Sequence, residues 1–282
     1  MTKTVLVPTD FSDIATNSMN YALEWARHEN AKVILLHVFD AVFVMPGVLE
    51  EITAQQIISN QESAKKRLEE IYTDIIEIKK VACEQVALFG SPVETILEVA
   101  EEKQADLIIM GTHGANGFLE RLLGSTTTKV IEHAKCPVMV VPEEAQYGEI
   151  KKITYATDYH AHDMEALKTV AAIAKSFNAR LNLIHIHVGD FAATQMILKD
   201  FAEKTVASTG YANIGFQLIS GNDVEKELEN YMDARETDIM VMSTHQRNIF
   251  DRLFGKSMTK RITFHTHIPL LVFHHRLNPI IF

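Results

Sequence analysis

The chain has few of the features that mark membrane, secreted or nucleic-acid-binding proteins. Its 282 residues contain no stretch near the roughly 18 consecutive apolar residues that a membrane-spanning helix needs. The two cysteines, Cys83 and Cys136, are too few for a disulfide framework, so we expect both to be buried small hydrophobic residues. The first residues do not follow a signal-peptide pattern, which favours a cytoplasmic protein. A net charge of −10 argues against general binding to nucleic acid or to an anionic membrane.

The glycine patterns of two common nucleotide-binding folds are also absent. A dinucleotide-binding domain places G-x-G-x-x-G after its first strand, whereas the segment Pro8-Thr9-Asp10-Phe11-Ser12 contains no glycine. The P-loop pattern G-x-x-x-x-G-K-[ST] does not occur, because Gly255-Lys256-Ser257 lacks the upstream glycine. The sequence therefore disfavours both a nicotinamide or flavin dehydrogenase and a P-loop nucleotidase.

What the chain does contain is an internal repeat. Four blocks recur in the same order, Val5–Ser12 as Ile153–His160, Ala31–Val38 as Ala179–Ile186, Asp106–His113 as Asp238–His245, and Cys136–Val141 as Ile268–Phe273. Four matched blocks in one order are far beyond chance. We therefore predict two similar domains, 1–145 and 149–282, that meet at a short polar stretch.

Each half alternates apolar strand segments with helical segments. In the first half, the pattern predicts strands near 3–8, 32–39, 80–88, 106–110 and 137–141, and helices near 13–28, 50–77, 91–103 and 125–134. This alternation is typical of an α/β fold, a parallel sheet with helices on both faces. We expect Ser12 to cap the first helix. We expect that helix to bury the stripe formed by Ile14, Ser18, Tyr21, Ala22 and Trp25.

The most informative segment follows the fourth predicted strand. Met110-Gly111-Thr112-His113-Gly114 is separated by nine residues from Gly124-Ser125-Thr126, where a helix is predicted to begin. Glycines allow positive φ and a close approach of backbone to ligand, and N–H groups at a helix start bind phosphate. We expect free N–H groups at Gly124 and Ser125, and hydroxyls that donate to an anion along Ser125, Thr126, Thr127 and Thr128. The alternative is an ordinary glycine-rich connection.

Gly111-x2-Gly114-x9-Gly124-Ser125, together with Pro8-Thr9-Asp10 at the end of the first strand, resembles the G-x2-G-x9-G-[ST] signature of ATP-binding members of the universal stress protein family. The resemblance covers nearly the whole chain, with one family domain in each half. It implies that each half is a five-stranded parallel sheet of strand order 3-2-1-4-5. It also implies that the first half binds ATP, accompanied by Mg²⁺.

The resemblance assigns a nucleotide site to the first half. Asp10 would hold the ribose hydroxyls, and the backbone of Val38 would meet the adenine edge. Gly111 and Gly114 would pass close to the ribose and α-phosphate, while the start of the following helix would cap the β- and γ-phosphates. The full candidate set is Pro8, Thr9, Asp10, Val38, Met110, Gly111, His113, Gly114, Gly124, Ser125, Thr126 and Thr127. For Asp10, a helix-capping or turn role is the alternative.

The second half departs from this signature. Asp158 is retained, but Ser243 stands at the position of Gly111 and Gln246 at that of Gly114. Their side chains would occupy volume that close backbone contacts with a nucleotide require. We therefore expect this half to be degenerate for ATP. The alternative is that Lys256 binds phosphate directly.

Histidines in the second half raise a weaker hypothesis. His160, His162, His187 and His245 follow predicted strand ends, where imidazoles beside Asp158 could ligate a divalent metal ion. Single histidines at loop tips are usually solvated, so no metal site is assigned.

No committed catalytic set is found: no Ser/His/Asp order, no paired carboxylates at helical spacing and no metal-ligand motif stands out. His113 could act as a base but is equally a solvent-facing loop residue. We expect an ATP-binding sensor or regulatory module of the stress response that is at most a slow ATPase. The alternatives are a slow ATP hydrolase or nucleotidyl transferase of the adenine-binding α/β group, and a ligand-free dimerisation module.

The last predicted strands of the two halves, Val138–Val141 and Leu270–Phe273, are edge strands that need cover. The simplest cover is intramolecular pairing of the two domains. A homodimer is the other partner that we consider.

Overall fold

The computed structural model of the protein describes residues 3–39, 50–73, 79–112, 124–159, 163–187, 191–234, 237–243 and 268–273. The chain separates into two compact units, Met1–Tyr147 and Gly148–Phe282. Each unit is an α/β fold with parallel strands.

In its described residues, the first unit contains five strands and four α-helices. The strands are β1 (Thr4–Pro8), β2 (Lys32–Phe39), β3 (Cys83–Phe89), β4 (Leu107–Gly111) and β5 (Val138–Val141). The helices are α1 (Asp13–Glu29), α2 (Glu50–Ile71), α3 (Pro92–Glu102) and α4 (Ser125–His133). The strand order is β3-β2-β1-β4-β5 with every described pairing parallel, which confirms the expected order. The predicted strands and helices are confirmed to within a few residues at their ends, except that residues 74–77 of the predicted helix 50–77 lie outside the described residues.

The second unit repeats this topology. Its strands are β6 (Lys152–Ala156), β7 (Arg180–His187), β8 (Ile214–Ser220), β9 (Ile239–Ser243) and β10 (Leu270–Phe273), and its described helices are α5 (Asp163–Ser176), α6 (Phe191–Thr209) and α7 (Val224–Asp233). The order β8-β7-β6-β9-β10 is that of the first unit. The registers also correspond, because Thr4 pairs with Lys32 in β1/β2 and Lys152 pairs with Arg180 in β6/β7.

The central strands form the core of the first unit. Leu6 and Val7 of β1, and Ile108 and Ile109 of β4, are all fully buried, as expected for a parallel strand covered on both faces. β1 pairs with β2 on one side and with β4 on the other, so the strand order reverses beside β1. Ligands of open parallel sheets bind at this reversal, outside the carboxyl ends of the strands.

Helix α1 begins where its sequence predicts. The Ser12 hydroxyl accepts a hydrogen bond from the Ala15 N–H at 3.2 Å, and Asn30 ends the helix in the left-handed conformation with φ 51°. The residues expected to face the core are all buried: Ile14, Ser18, Tyr21, Ala22 and Trp25. The capping and burial predictions for this helix are therefore confirmed.

Gly111 allows α1 to pack against the end of β4, while its expected approach to the ribose and α-phosphate stays a prediction. The described glycines with positive φ are Gly90 and Gly210, so Gly111 does not use the positive φ that a glycine allows. Gly111 is the last residue of β4, opposite Val141 in a regular ladder. A Cβ on Gly111 would lie 2.6 Å from Ile14 Cγ2 and 3.3 Å from the Ile14 carbonyl oxygen. Glycine is required here because α1 packs directly against the end of β4.

The two cysteines differ from expectation. Cys83 and Cys136 are not joined in a disulfide, and both are half-buried rather than buried. Cys83 is the first residue of β3, the outer strand beside β2. Burial nevertheless raises the pKa of the Cys83 thiol to about 11, so this thiol is neutral near pH 7 and a weak nucleophile.

We predict that Ser12→Ala lowers the free energy of unfolding by about 1 kcal/mol, because it removes the cap of α1. Ser91 provides a matched control, since it precedes α3 without a side-chain capping hydrogen bond; Ser91→Ala should change stability by less than about 0.5 kcal/mol. Trp25 is the only tryptophan of the chain and lies buried in α1, so urea unfolding followed by its fluorescence reports on this unit. Equal losses in the two variants would contradict the capping role.

We further predict that Gly111→Ala lowers the free energy of unfolding by about 1–3 kcal/mol, because the new methyl group overlaps Ile14. In a double-mutant cycle, adding Ile14→Ala should give a smaller total loss than the sum of the two single losses. Gly148→Ala is the control, because a Cβ at Gly148 would meet nothing within 4 Å. Additive losses in the cycle would show that the two residues do not compete for the same space.

Candidate functional site

The candidate site lies at the carboxyl edge of the first unit, the side of the sheet where its parallel strands end. The chain leaves β1 into Thr9 and Asp10 and leaves β4 into Thr112. Because β1 and β4 are neighbouring parallel strands, both exits lie at the same edge. The structure therefore brings together two of the three segments that carry the family signature.

The turn after β1 is fixed by its own side chains. Thr9 is buried, donates its N–H to the Leu36 carbonyl at 2.8 Å, and accepts through Oγ1 from the Phe11 N–H at 3.0 Å. Asp10 is exposed, and its Oδ1 accepts from the Ser12 N–H at 3.1 Å and from the Ser12 hydroxyl at 2.6 Å. These bonds hold Phe11 in the left-handed conformation with φ 65°. Asp10 thus has the turn role considered above, while its role toward ribose stays a prediction.

An aromatic stack covers this turn. The rings of Phe11 and His37 lie 4.2 Å apart between centroids, and the Arg67 guanidinium lies 4.6 Å from the Phe11 centroid, within the range of a cation–π contact. His37 Nδ1 is 2.8 Å from the Thr9 carbonyl oxygen. Since a carbonyl can only accept, Nδ1 carries the proton in this contact. Burial lowers the pKa of His37, with a smaller lowering from Arg67, against the opposing effects of the Thr9 hydrogen bond and Asp10.

The second unit builds the same stack. The Tyr159 N–H donates to Thr157 Oγ1 at 3.0 Å, His185 Nδ1 lies 2.8 Å from the Thr157 carbonyl oxygen, and the Tyr159 and His185 rings are 4.4 Å apart. Tyr159 has φ 63°. Sequence reasoning missed the aromatic and histidine members of both stacks. The repeat could have identified them, because Phe11 corresponds to Tyr159 and His37 to His185 in the repeated blocks.

The start of α4 supplies the third segment of the signature. Gly124 precedes the helix and donates its N–H to the Thr112 carbonyl at 2.6 Å, so the expectation of a free N–H at Gly124 is wrong. Thr127 is buried, and its hydroxyl donates to the Gly111 carbonyl at 2.9 Å. Thr128 donates its hydroxyl to the Gly124 carbonyl at 3.1 Å. Both hydroxyls satisfy backbone carbonyls in this structure, and a contact of either one with an anion stays a prediction.

Ser125 and Thr126 remain suited to an anion. Ser125 is exposed and Thr126 is half-exposed at the first turn of α4. The N–H groups of the first helical turn have no partner within the helix, and the positive end of the helix dipole lies there. The Gly124 and Thr127 hydrogen bonds thus hold this helix start against the end of β4.

The remaining candidates divide by position. Pro8 is the half-buried last residue of β1, and Met110 is a buried residue of β4. β1 ends opposite Leu36, whereas β2 continues to Phe39, so Val38 lies beyond the end of β1 at the carboxyl edge. His113 and Gly114 lie outside the described residues.

The corresponding edge of the second unit is built around a buried carboxyl group. Asp163 Oδ1 accepts from the Tyr155 hydroxyl at 2.9 Å, and its Oδ2 accepts from the Thr157 hydroxyl at 2.6 Å. Burial raises the pKa of Asp163, and neighbouring Asp158 adds to the rise, while the two hydroxyl hydrogen bonds oppose it. In the first unit the positions of Tyr155 and Asp163 hold Val7 and Ala15. The two edges therefore differ in their buried polar groups as well as in their glycines.

No group of three or more His, Cys, Asp or Glu side chains suited to a metal ion occurs among the residues that the structure describes. Of the four histidines in the metal hypothesis, His187 is described, buried at the end of β7; His160, His162 and His245 lie outside the described residues.

Within the described ranges, no helix is long and apolar enough to cross a membrane.

Comparison with known proteins agrees with this architecture. The Universal stress protein family matches residues 1–142 and 149–274. Universal stress protein MJ0531 of Methanocaldococcus jannaschii is 34% identical over 150 residues, which are 49% of this chain and 81% of that protein. A universal stress protein from Archaeoglobus fulgidus superposes with a TM-score of 0.71 over 96% of both chains at 20% identity. A universal stress protein solved in complex with cAMP covers 50% of the chain at 27% identity, with a TM-score of 0.35. The chain belongs to the universal stress protein family and carries two family domains in tandem.

Proposed function

We propose that the first domain binds ATP at the carboxyl edge of its sheet, and that nucleotide occupancy makes the chain a sensor or regulatory module of the stress response. The main support for the proposal is the way in which the start of α4 is held. It is held against β4 by the Thr127 and Gly124 hydrogen bonds, with Ser125 and Thr126 left toward solvent. A helix start that is anchored in this way presents its N–H groups to an anion in a fixed position.

The phosphates would rest on these N–H groups. Each favourable interaction with the helix terminus contributes about 0.3–1 kcal/mol, rising to ~2 kcal/mol where it is partly buried. Because the described residues hold no cluster of three acidic, histidine or cysteine side chains, Mg²⁺ would arrive with the phosphates and keep several of its waters, as it does in many nucleotide sites.

The nucleoside would lie across the end of β1. The Asp10 carboxylate stands at the exposed turn, where a charge-assisted hydrogen bond to a ribose hydroxyl is possible. Val38 lies beyond the end of β1, so the β1 ladder, which ends opposite Leu36, does not extend to its backbone. That position suits hydrogen bonding to the edge of a base. The proposed function is binding, with at most slow hydrolysis.

We predict that the chain binds about one ATP. The second domain has the buried Ser243 side chain at the position of Gly111 and the Asp163 carboxyl group behind the same edge. Isothermal titration should give a stoichiometry near one, and mass spectrometry of ligand released from denatured protein should identify ATP. Two equivalent sites would contradict a degenerate second domain. No binding by ATP, ADP, AMP or cAMP would contradict the proposed function.

We also predict that Asp10→Asn weakens ATP binding by about tenfold, equivalent to ~1.4 kcal/mol. The amide oxygen can still accept from Ser12, so the turn is kept and only the charge toward ribose is lost. Asp158→Asn is the matched control at the repeated position of the second domain and should leave ATP affinity unchanged. An unchanged affinity in Asp10→Asn, or equal losses in both variants, would remove Asp10 from the site.

A further inference from the structure

A second site candidate lies at the opposite edge of the second domain, where its parallel strands begin. A cavity of about 360 Å³ opens there, and its walls are formed by Lys152, Arg180, Asn182, Gly215, Phe216 and Gln217. These residues come from the starts of the neighbouring strands β6, β7 and β8. The volume is at the lower end of the range for small-molecule sites. We call this cavity the amino-edge pocket.

The guanidinium group in the pocket is held in one orientation. Arg180 Nε donates to Asn182 Oδ1 at 3.0 Å. A Cβ on Gly215 would lie 2.8 Å from Arg180 Nη2 and 2.9 Å from Asn182 Oδ1. The glycine therefore lets the guanidinium lie directly over the β8 backbone, and any larger residue would displace it. An oriented guanidinium is suited to bidentate contact with an oxyanion.

The first domain fills the same place with its own carboxylate. Glu84 lies opposite Ile34 in β2/β3, as Gly215 lies opposite Asn182 in β7/β8. The Glu84 carboxylate binds Lys103 Nζ at 2.8 Å and Lys32 Nζ at 2.5 Å, and these bonds lower its pKa. Lys32 stands at the repeated position of Arg180. In the second domain the cation is retained and the internal carboxylate is missing.

The second domain also adds positive charge. Lys152 occupies the position of Thr4 and lines the pocket beside Arg180. In the part of the chain that the structure describes, neither side chain forms an ion pair. The carboxylate of Asp238, at the same edge, accepts from the backbone N–H groups of Lys151 and Lys152, both at 2.7 Å. Two cationic side chains thus face the space that an internal carboxylate fills in the first domain.

We propose that the amino-edge pocket binds a small oxyanionic ligand whose phosphate or carboxylate group takes the place of the missing carboxylate. Arg180 and Lys152 bind the charged group, and Asn182 holds the guanidinium in position. The site is independent of nucleotide binding in the first domain, because every residue that forms it belongs to the second domain.

The proposal is tested on the full chain by titration with inorganic phosphate, phenyl phosphate and benzoate, followed through the backbone amide signals of Gly215 and Asn182. We expect saturable shifts of the Gly215 and Asn182 signals with at least one of the three oxyanions. Tighter binding of phenyl phosphate than of benzoate identifies a phosphate site, and the reverse order a carboxylate site. Sodium chloride at equal ionic strength is the control for screening. No saturable shift with any of the three probes, up to tens of millimolar, overturns the proposal.

Three variants distinguish anion binding in the amino-edge pocket from anion binding elsewhere on the chain. Arg180→Gln should weaken binding at least tenfold, and Gly215→Glu, which restores an internal carboxylate, should abolish it. Lys32→Gln removes the corresponding cation of the first domain and should leave the Gly215 titration unchanged. Circular dichroism checks the fold, and if Gly215→Glu does not fold, Arg180→Gln decides alone. Equal affinity in Arg180→Gln and the unaltered chain overturns the proposal.

Discussion

The contact between α1 and the end of β4 is the constraint on which the candidate nucleotide site depends. Gly111 has no side chain, so Ile14 packs directly against the strand end. The carbonyl of the same glycine accepts the Thr127 hydroxyl of α4. One residue therefore joins the helix that follows β1, the strand β4 and the helix that would carry the phosphates. A side chain at this position would move α1 and, with it, the turn that presents Asp10.

The two domains share the structure of the turn after their first strand and differ in the polar groups that they bury. The threonine, aromatic residue and histidine of the turn repeat in both, with nearly equal distances. This repetition indicates that the stack serves the fold of the turn in either domain. The differences are polar groups: Asp163 is buried where the first domain has Ala15, and Gly215 leaves open a place where the first domain has Glu84. The two domains thus differ in the polar groups at the carboxyl and amino edges of their sheets, while the register of their strands is the same.

Much of the fold could be predicted from the sequence, because burial leaves a periodic pattern. Apolar runs located the strands, and the stripe of α1 and the Ser12 cap located that helix. The strand order came from the family resemblance, since periodicity does not encode which strands are neighbours. The hydrogen bonds of Thr127 and Gly124 could not be predicted for a related reason. The partner of a hydroxyl or N–H group is set by tertiary contacts, and a carbonyl at a strand end competes with any ligand for the same donor.

The buried ionisable groups give the two domains proton linkages of opposite sign. Burial lowers the pKa of His37 below its ordinary 6.5, so the unfolded chain binds this proton more readily and the first domain loses stability as pH falls through that range. Burial raises the pKa of Asp163 above its ordinary 3.8, so the folded chain binds this proton more readily. The second domain loses that contribution as pH rises from 3.8 through the raised value. At these two groups, acidification acts against one domain and in favour of the other, although both domains share one fold within one chain.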